Sequence, residues 1–164
     1  MQVNINSYPV EILTGHFQVG GELEVRGNPT IFVNDPAIPV FAIHKASLTP
    51  LAGGTSVGQV QVPLLYVPKS EPHVLLIGNF DQKQAQLLPN KINLVAFTDT
   101  YVIKASFHAG PETKADDVFY YSAGPFFPAT SAEIYAMRPL AADLGGQADL
   151  VFIHKSHVRA FYPG

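Results

Sequence analysis

The six histidines have the widest chemical range of any residues in this 164-residue chain: His16, His44, His73, His108, His154 and His157. Imidazole can ligate a metal or carry a proton near neutral pH. A metal centre needs three or more ligands in fixed geometry. The sequence has no His-X-His pair and no grouping of two histidines with a glutamate. His154 and His157 lie three apart, on opposite faces of an extended strand, and converge only if the chain turns at Ser156. No metal and no cofactor are expected, and the histidines read as surface or turn residues.

Signals for covalent catalysis are missing as well. The chain has no cysteine, no Gly-X-Ser-X-Gly, no His-Glu-X-X-His and no glycine-rich phosphate loop. A carboxylate pair must face across a cleft, whereas neighbours such as Asp116 and Asp117 point apart in a strand; 109–117 reads as an exposed loop. No catalytic residue is assigned. Two other features could bind a ligand. Lys69-Ser70 and Lys155-Ser156 each follow an apolar run containing one aromatic, and a turn lysine can meet a phosphate. Phe119, Tyr120, Tyr121, Phe126 and Phe127 crowd around Ser122-Ala123-Gly124-Pro125. Such rings can stack bases or sugars, though filling a core or joining two halves is the simpler use. The candidate ligand-binding residues are Lys69, Ser70, Lys155, Ser156, Phe126 and Phe127.

Composition bounds the rest. Hydrophobic residues make 47% of the chain and charged residues 14%, against about 25% charged in ordinary domains. A charged disordered tail is excluded, and low charge suggests surface covered by another copy or by a partner. Ten Lys and Arg against thirteen Asp and Glu give a net charge of −3, without the basic footprint of a general nucleic-acid binder. No stretch approaches the roughly 18 apolar residues of a membrane span. The start lacks a signal-peptide pattern, so a cytoplasmic protein without membrane contact is expected.

Thirteen glycines and fourteen prolines punctuate short apolar runs, the pattern of an all-β chain. Strands are expected at 10–13, 17–25, 41–51, 60–67 and 73–77. The second alternates Phe17, Val19, Gly21, Leu23 and Val25 with polar residues, and Gly20-Gly21 marks a bulge or bend. Thr30 to Val33 reads as a short β run ended by Asn34-Asp35-Pro36. The polar stretch 78–90 reads as a connector with a helical turn.

The second half repeats the first. Leu64-Leu65-Tyr66-Val67-Pro68-Lys69-Ser70 matches Leu150-Val151-Phe152-Ile153-His154-Lys155-Ser156 at an offset of 86. Leu48-Thr49-Pro50-Leu51-Ala52 matches Met137-Arg138-Pro139-Leu140-Ala141 at 89, each before a Gly pair, Gly53-Gly54 and Gly145-Gly146. Phe17, Val19, Gly21 and Leu23 match Tyr101, Ile103, Ala105 and Phe107 at 84. Three matches in one order imply a duplication, so 132–140 reads as strand despite its alanines. The units are 1–80 and 91–164, joined by 81–90.

Five strands, the second long and bent at glycine and the last two joined by a tight turn, resemble the Sm-like small β-barrel of the bacterial Hfq and Sm families. They are also similar to bacterial proteins whose repeat ends on a Lys-Ser turn. Gly20 or Gly21 fills the place of the family's bent-strand glycine, and Asn34 or Asp35 that of its loop Asp or Asn. The family's last turn carries Arg-Gly or Lys-His where this chain has Lys-Ser. The resemblance implies two tandem five-stranded barrels and a homo-oligomer, a ring or trimer of tandem barrels. It also implies contact with single-stranded RNA at Lys69 and Lys155. The expected function is a non-enzymatic oligomeric binding or scaffold protein, contacting RNA or a peptide. The competing reading is a small-ligand or cofactor-binding β-barrel enzyme with a pocket at Phe126 and Phe127.

Overall fold

The period-two alternation around Gly20-Gly21 forms one of ten strands among the described residues. A computed structural model describes residues 4–120, 124–144 and 148–164. The first half contains β1 (Ile5–Thr14), β2 (Phe17–Arg26), a one-turn helix α1 (Pro29–Val33), β3 (Val40–Pro50), β4 (Val60–Pro68) and β5 (Pro72–Ile77). A 3-10 turn at Gln82–Ala85 sits in the expected connector. The second half contains β6 (Asn90–Phe97), β7 (Tyr101–Ala109), β8 (Phe126–Ala136), β9 (Leu150–His154) and β10 (Ala160–Pro163). No helix among the described residues is long and apolar enough to cross a membrane.

All ten strands form one antiparallel sheet in the order β10-β6-β7-β8-β9-β5-β1-β2-β3-β4. The expected closed barrels do not form. Among the described residues β4 pairs only with β3 and β10 only with β6, which leaves an open sheet with two free edges.

The register of the first half recurs in the second. Leu13 opposite Gln18 is followed by Phe97 opposite Val102, and Phe17 opposite Pro50 by Tyr101 opposite Ala136. Val40 opposite Pro68 returns as Phe126 opposite His154, and Val10 opposite Ile77 as Leu94 opposite Pro163. Both second strands bulge at the same place, between Gly20 and Glu22 and between Lys104 and Ser106. On the facing strands Lys45 and Ser131 take positive φ, 50° and 53°. A Cβ on Gly21 would stand 2.5 Å from Ile43 Cγ2 and 2.7 Å from the His44 carbonyl oxygen, so glycine is what lets this bulge close. The tight turns before β2 and β7 also match. Thr14 Oγ1 accepts the N–H groups of His16 and Phe17, as Thr98 Oγ1 accepts those of Thr100 and Tyr101.

The hydrophobic residues divide into two cores. Strands β5 and β9 pair at the middle of the sheet and are buried on both faces. Their alternate residues go to different cores. Leu75, Ile77, Leu150 and Phe152 join Val19, Leu23, Phe41 and Ile43. Val74, Leu76, Val151 and Ile153 join Leu94, Ile103 and Phe107. Successive strand residues point to opposite faces, so the two halves bury opposite faces of one sheet. Each buried Leu, Ile or Phe adds about 1.5–3 kcal/mol, and the paired middle strands contribute to both cores.

Three local expectations are corrected. Residues 30–33 form helix α1 and not a strand: the Asn28 side chain accepts the Thr30 N–H, and Pro29 opens the helix where no N–H is needed. Strand β8 ends at Ala136, so 137–140 is not strand. The counterpart of Leu51 is Met137: their N–H groups donate to His16 O and Thr100 O, both at 2.9 Å. The two halves therefore match here at an offset of 86, and not at the 89 read from Pro50 and Pro139. Asp116 and Asp117 lie in a 3-10 turn, Ala115–Asp117, within the stretch read as a loop. Tyr121, Ser122, Ala123, Gly145 and Gly146 lie outside the described residues.

Candidate functional site

Two places gather chemistry-bearing groups, and both lie where the halves meet. The first is the seam between β5 and β9. Each Lys-Ser turn follows the fourth strand of its half, β4 or β9, and each is tied down alike. The Lys69 N–H donates to Pro39 O at 3.0 Å and the Lys155 N–H to Pro125 O at 2.9 Å. The turns touch through His157, whose Nε2 donates to Ser70 O at 2.7 Å.

The Lys69 side chain turns inward. Its Nζ donates to Phe32 O at 3.1 Å and Asp35 O at 3.2 Å, and lies 5.2 Å from the Phe41 ring centroid. Burial lowers its pKa and the Asp35 charge works against that. Ser156 differs from Ser70: its hydroxyl donates to His154 Nδ1 at 2.7 Å, alongside its own N–H at 3.3 Å.

Three histidines converge at the seam because the chain turns at Lys155–His157. The His157 ring stacks on His73 at 4.2 Å and lies 5.0 Å from His154. Thr98 Oγ1 already accepts two backbone N–H groups, so its hydroxyl proton goes to His73 Nδ1 at 2.9 Å. Burial, then the neighbouring His157, pushes His73 down to about 4. Burial, then His157 and Lys155, pushes His154 down to about 4. Both rings are neutral at pH 7, and each spends its Nδ1 lone pair on a hydroxyl. His154 is therefore a weak base toward Ser156, and their bond caps a turn. Among the described residues no group of three or more His, Asp or Glu side chains is placed to hold a metal ion, these three rings included.

The second place is a cavity of about 220 Å³ between α1, the connector, the end of β7 and the start of β8. Phe126 and Phe127 are both in its wall. As neighbours in a strand they point apart. Phe126 enters the first core, edge-on to Phe41 at 5.7 Å and to His154 at 4.8 Å. Phe127 enters the second core against Phe107 and Phe119. Asn34 joins the halves here: its Nδ2 donates to Phe126 O at 3.0 Å and its Oδ1 accepts the Phe126 N–H at 2.8 Å. His108 donates from Nδ1 to Leu88 O at 3.1 Å, so its Nε2 accepts from Thr130 Oγ1 at 2.7 Å. Burial lowers its pKa.

The structure thus brings Ser70, Ser156 and Phe126 close to one histidine group, while Lys69 is committed elsewhere. The sequence offered His73 only as one of six histidines and Thr30 only as the start of a short β run, and no local motif marks either. In comparisons with protein families, curated proteins and solved structures, no significant match to the chain was found.

Proposed function

We propose that the chain is a non-enzymatic, self-assembling scaffold built from two copies of a five-stranded Sm-like unit, joined edge to edge in a homo-oligomer. The observation that carries this reading is the seam. There the last strand of the first half, β5, pairs with the fourth strand of the second, β9. Their counterparts are β10 and β4, the two free edges of the sheet.

Carried over, the seam register sets Ala160 opposite Val67 of the partner subunit and Phe161 opposite Tyr66 of the partner subunit. Tyr66 and Tyr162 are 61% and 51% exposed, whereas their seam counterparts Phe152 and Leu76 are 0% and 5% exposed. Unpaired edges that carry large apolar side chains invite pairing. A head-to-tail contact closes into a ring or runs on as a filament; the Sm resemblance favours a ring of about three chains. A groove beside Val40 and Ala42 in the first half matches the cavity beside Phe126 and Pro128 in the second. It lacks the cover that the preceding half gives the cavity, and a second chain would supply it.

Contact with single-stranded RNA or a peptide belongs to the same reading. Lys69 argues for the peptide or for none, because its ammonium already serves two carbonyls.

Light scattering on the purified chain tests the assembly. A discrete oligomer is expected, reduced to monomer by Tyr66→Lys and by Phe161→Lys. Combining Tyr66→Lys with Phe161→Glu restores it. A monomeric wild type, or an oligomer indifferent to both lysine substitutions, would refute the reading.

A further inference from the structure

We infer that the groove of the first half is a socket for Tyr120 of a second copy, the copy whose β10 pairs with β4. This rests on the assembly reading and adds to it the side chain that fills the contact.

The groove and the cavity occupy the same place in their two halves. Glu24, Arg26, Ile38, Val40 and Ala42 line the groove. Their counterparts in the repeated register, His108, Gly110, Gly124, Phe126 and Pro128, line the cavity. The wall facing them in the cavity includes Thr30 and Asn34 of α1 and its C-terminal end. Val33 anchors α1 in the first core. Just beyond it, the Asn34 side chain holds both backbone groups of Phe126. Phe126 is 1% exposed, whereas Val40 is only half-buried.

The second half carries the matching segment. The 3-10 turn Ala115–Asp117 lies between β7 and β8 as α1 lies between β2 and β3. Val118 anchors it in the second core, and Phe119 packs on Phe107 and Phe127. Tyr120 follows and is 80% exposed. With β10 paired to the partner's β4 as β5 is paired to β9, this segment faces the partner's groove as α1 faces the cavity.

Two differences between the halves compensate. Gly124 lets Asn34 come close, since a Cβ there would stand 2.7 Å from the Asn34 Cβ. Ile38 carries that Cβ, so the partner's segment lies further out, and the longer tyrosine side chain spans the gap. Its ring suits Ile38, Val40 and Ala42, and its hydroxyl suits the polar rim of Glu24, Arg26 and His44. Tyrosine is among the residues that most often anchor an interface, having an apolar body and a polar tip. Asp116 and Asp117, beside the anchor, bring negative charge toward Arg26.

Disulfide trapping tests the contact. The chain has no cysteine, so mixing an Ile38→Cys chain with a Tyr120→Cys chain allows bonds only between copies. Mixed disulfide dimers are expected under mild oxidation, well above the homodimers that either chain forms alone. Tyr120→Ala should raise the concentration at which the oligomer dissociates in light scattering about thirtyfold, the effect of losing an interface hot spot. In the monomeric Tyr66→Lys background it should leave the melting temperature unchanged. An oligomer that Tyr66→Lys dissolves, yet that gives no excess of mixed disulfide or is indifferent to Tyr120→Ala, overturns this inference and leaves the edge pairing standing. A melting temperature lowered by Tyr120→Ala in the monomer also overturns it, because the ring then serves its own half. A monomeric wild type overturns both readings.

Discussion

Strands β5 and β10 hold the same place in their halves, each paired in the same register to the first strand of its unit. Yet every residue of β5 is buried and every residue of β10 is exposed. Strands β9 and β4 differ in the same way: β9 is buried throughout, and β4 buries only Val67. The strands therefore do not decide their own burial. It comes from having a neighbour on the second side, which β5 and β9 supply to each other. The seam is a paired junction and the edges are its unpaired counterparts.

The largest expected effect separates the two directly. Phe152 and Tyr66 stand at matching positions, fully buried in the seam and 61% exposed at the edge. Phe152→Ala should cost about 3–5 kcal/mol, the usual loss for a buried Phe. Tyr66→Ala at concentrations low enough to keep the chain monomeric should cost under about 0.5 kcal/mol, as surface changes do. Urea denaturation of both variants measures the contrast. Equal losses would break the comparison.

A second effect belongs to the seam histidines and depends on pH. His73 and His154 sit near 4 in the folded chain against 6.5 ordinarily. Between those values the unfolded chain binds protons that the folded chain refuses. The stability these groups contribute is complete above pH 6.5 and is lost as pH falls toward 4. The urea midpoint should drop over that window. Joint His73→Gln and His154→Gln replacement should flatten the drop, since it removes both groups whose lowered pKa values produce it. An unchanged pH slope in the double variant would sink this account.

The smallest effect tests whether the halves match in backbone as they do in register. Lys45 and Ser131 hold positive φ on the strands facing the two bulges. Glycine adopts that conformation without strain, and side chains do so at a cost. Lys45→Gly and Ser131→Gly should each stabilise by up to about 1 kcal/mol, and by similar amounts. A thermal melt of each variant reads the shift. Opposite signs would mean that the two bulges are not equivalent.

Much of this architecture was legible. Alternation at 17–25 marked β2, Gly20-Gly21 marked its bulge, and the two Lys-Ser pairs marked the ends of β4 and β9. Helix α1 was legible too and was misread. Its β-branched and aromatic residues suggested a strand, while Asn28-Pro29, a helix-opening pair, carried the opposite signal. The offset of 89 came from matching Pro50 to Pro139, and the hydrogen bonds of Leu51 and Met137 replace it. The ring cluster was not legible. His73 and His157 are stacked at 4.2 Å although 84 residues apart in the sequence, and no local pattern encodes that approach. Nor could Phe126 and Phe127 be assigned to different cores before the sheet's two buried faces were known.

By itself the sequence determined the strand periods and the turns, because these depend on side-chain alternation and backbone freedom over a few residues. Tertiary structure decided the seam, the uncharged histidines and the cavity. Each needs groups from both halves at contact distance, and desolvation acts on a group only once another part of the chain has displaced its water.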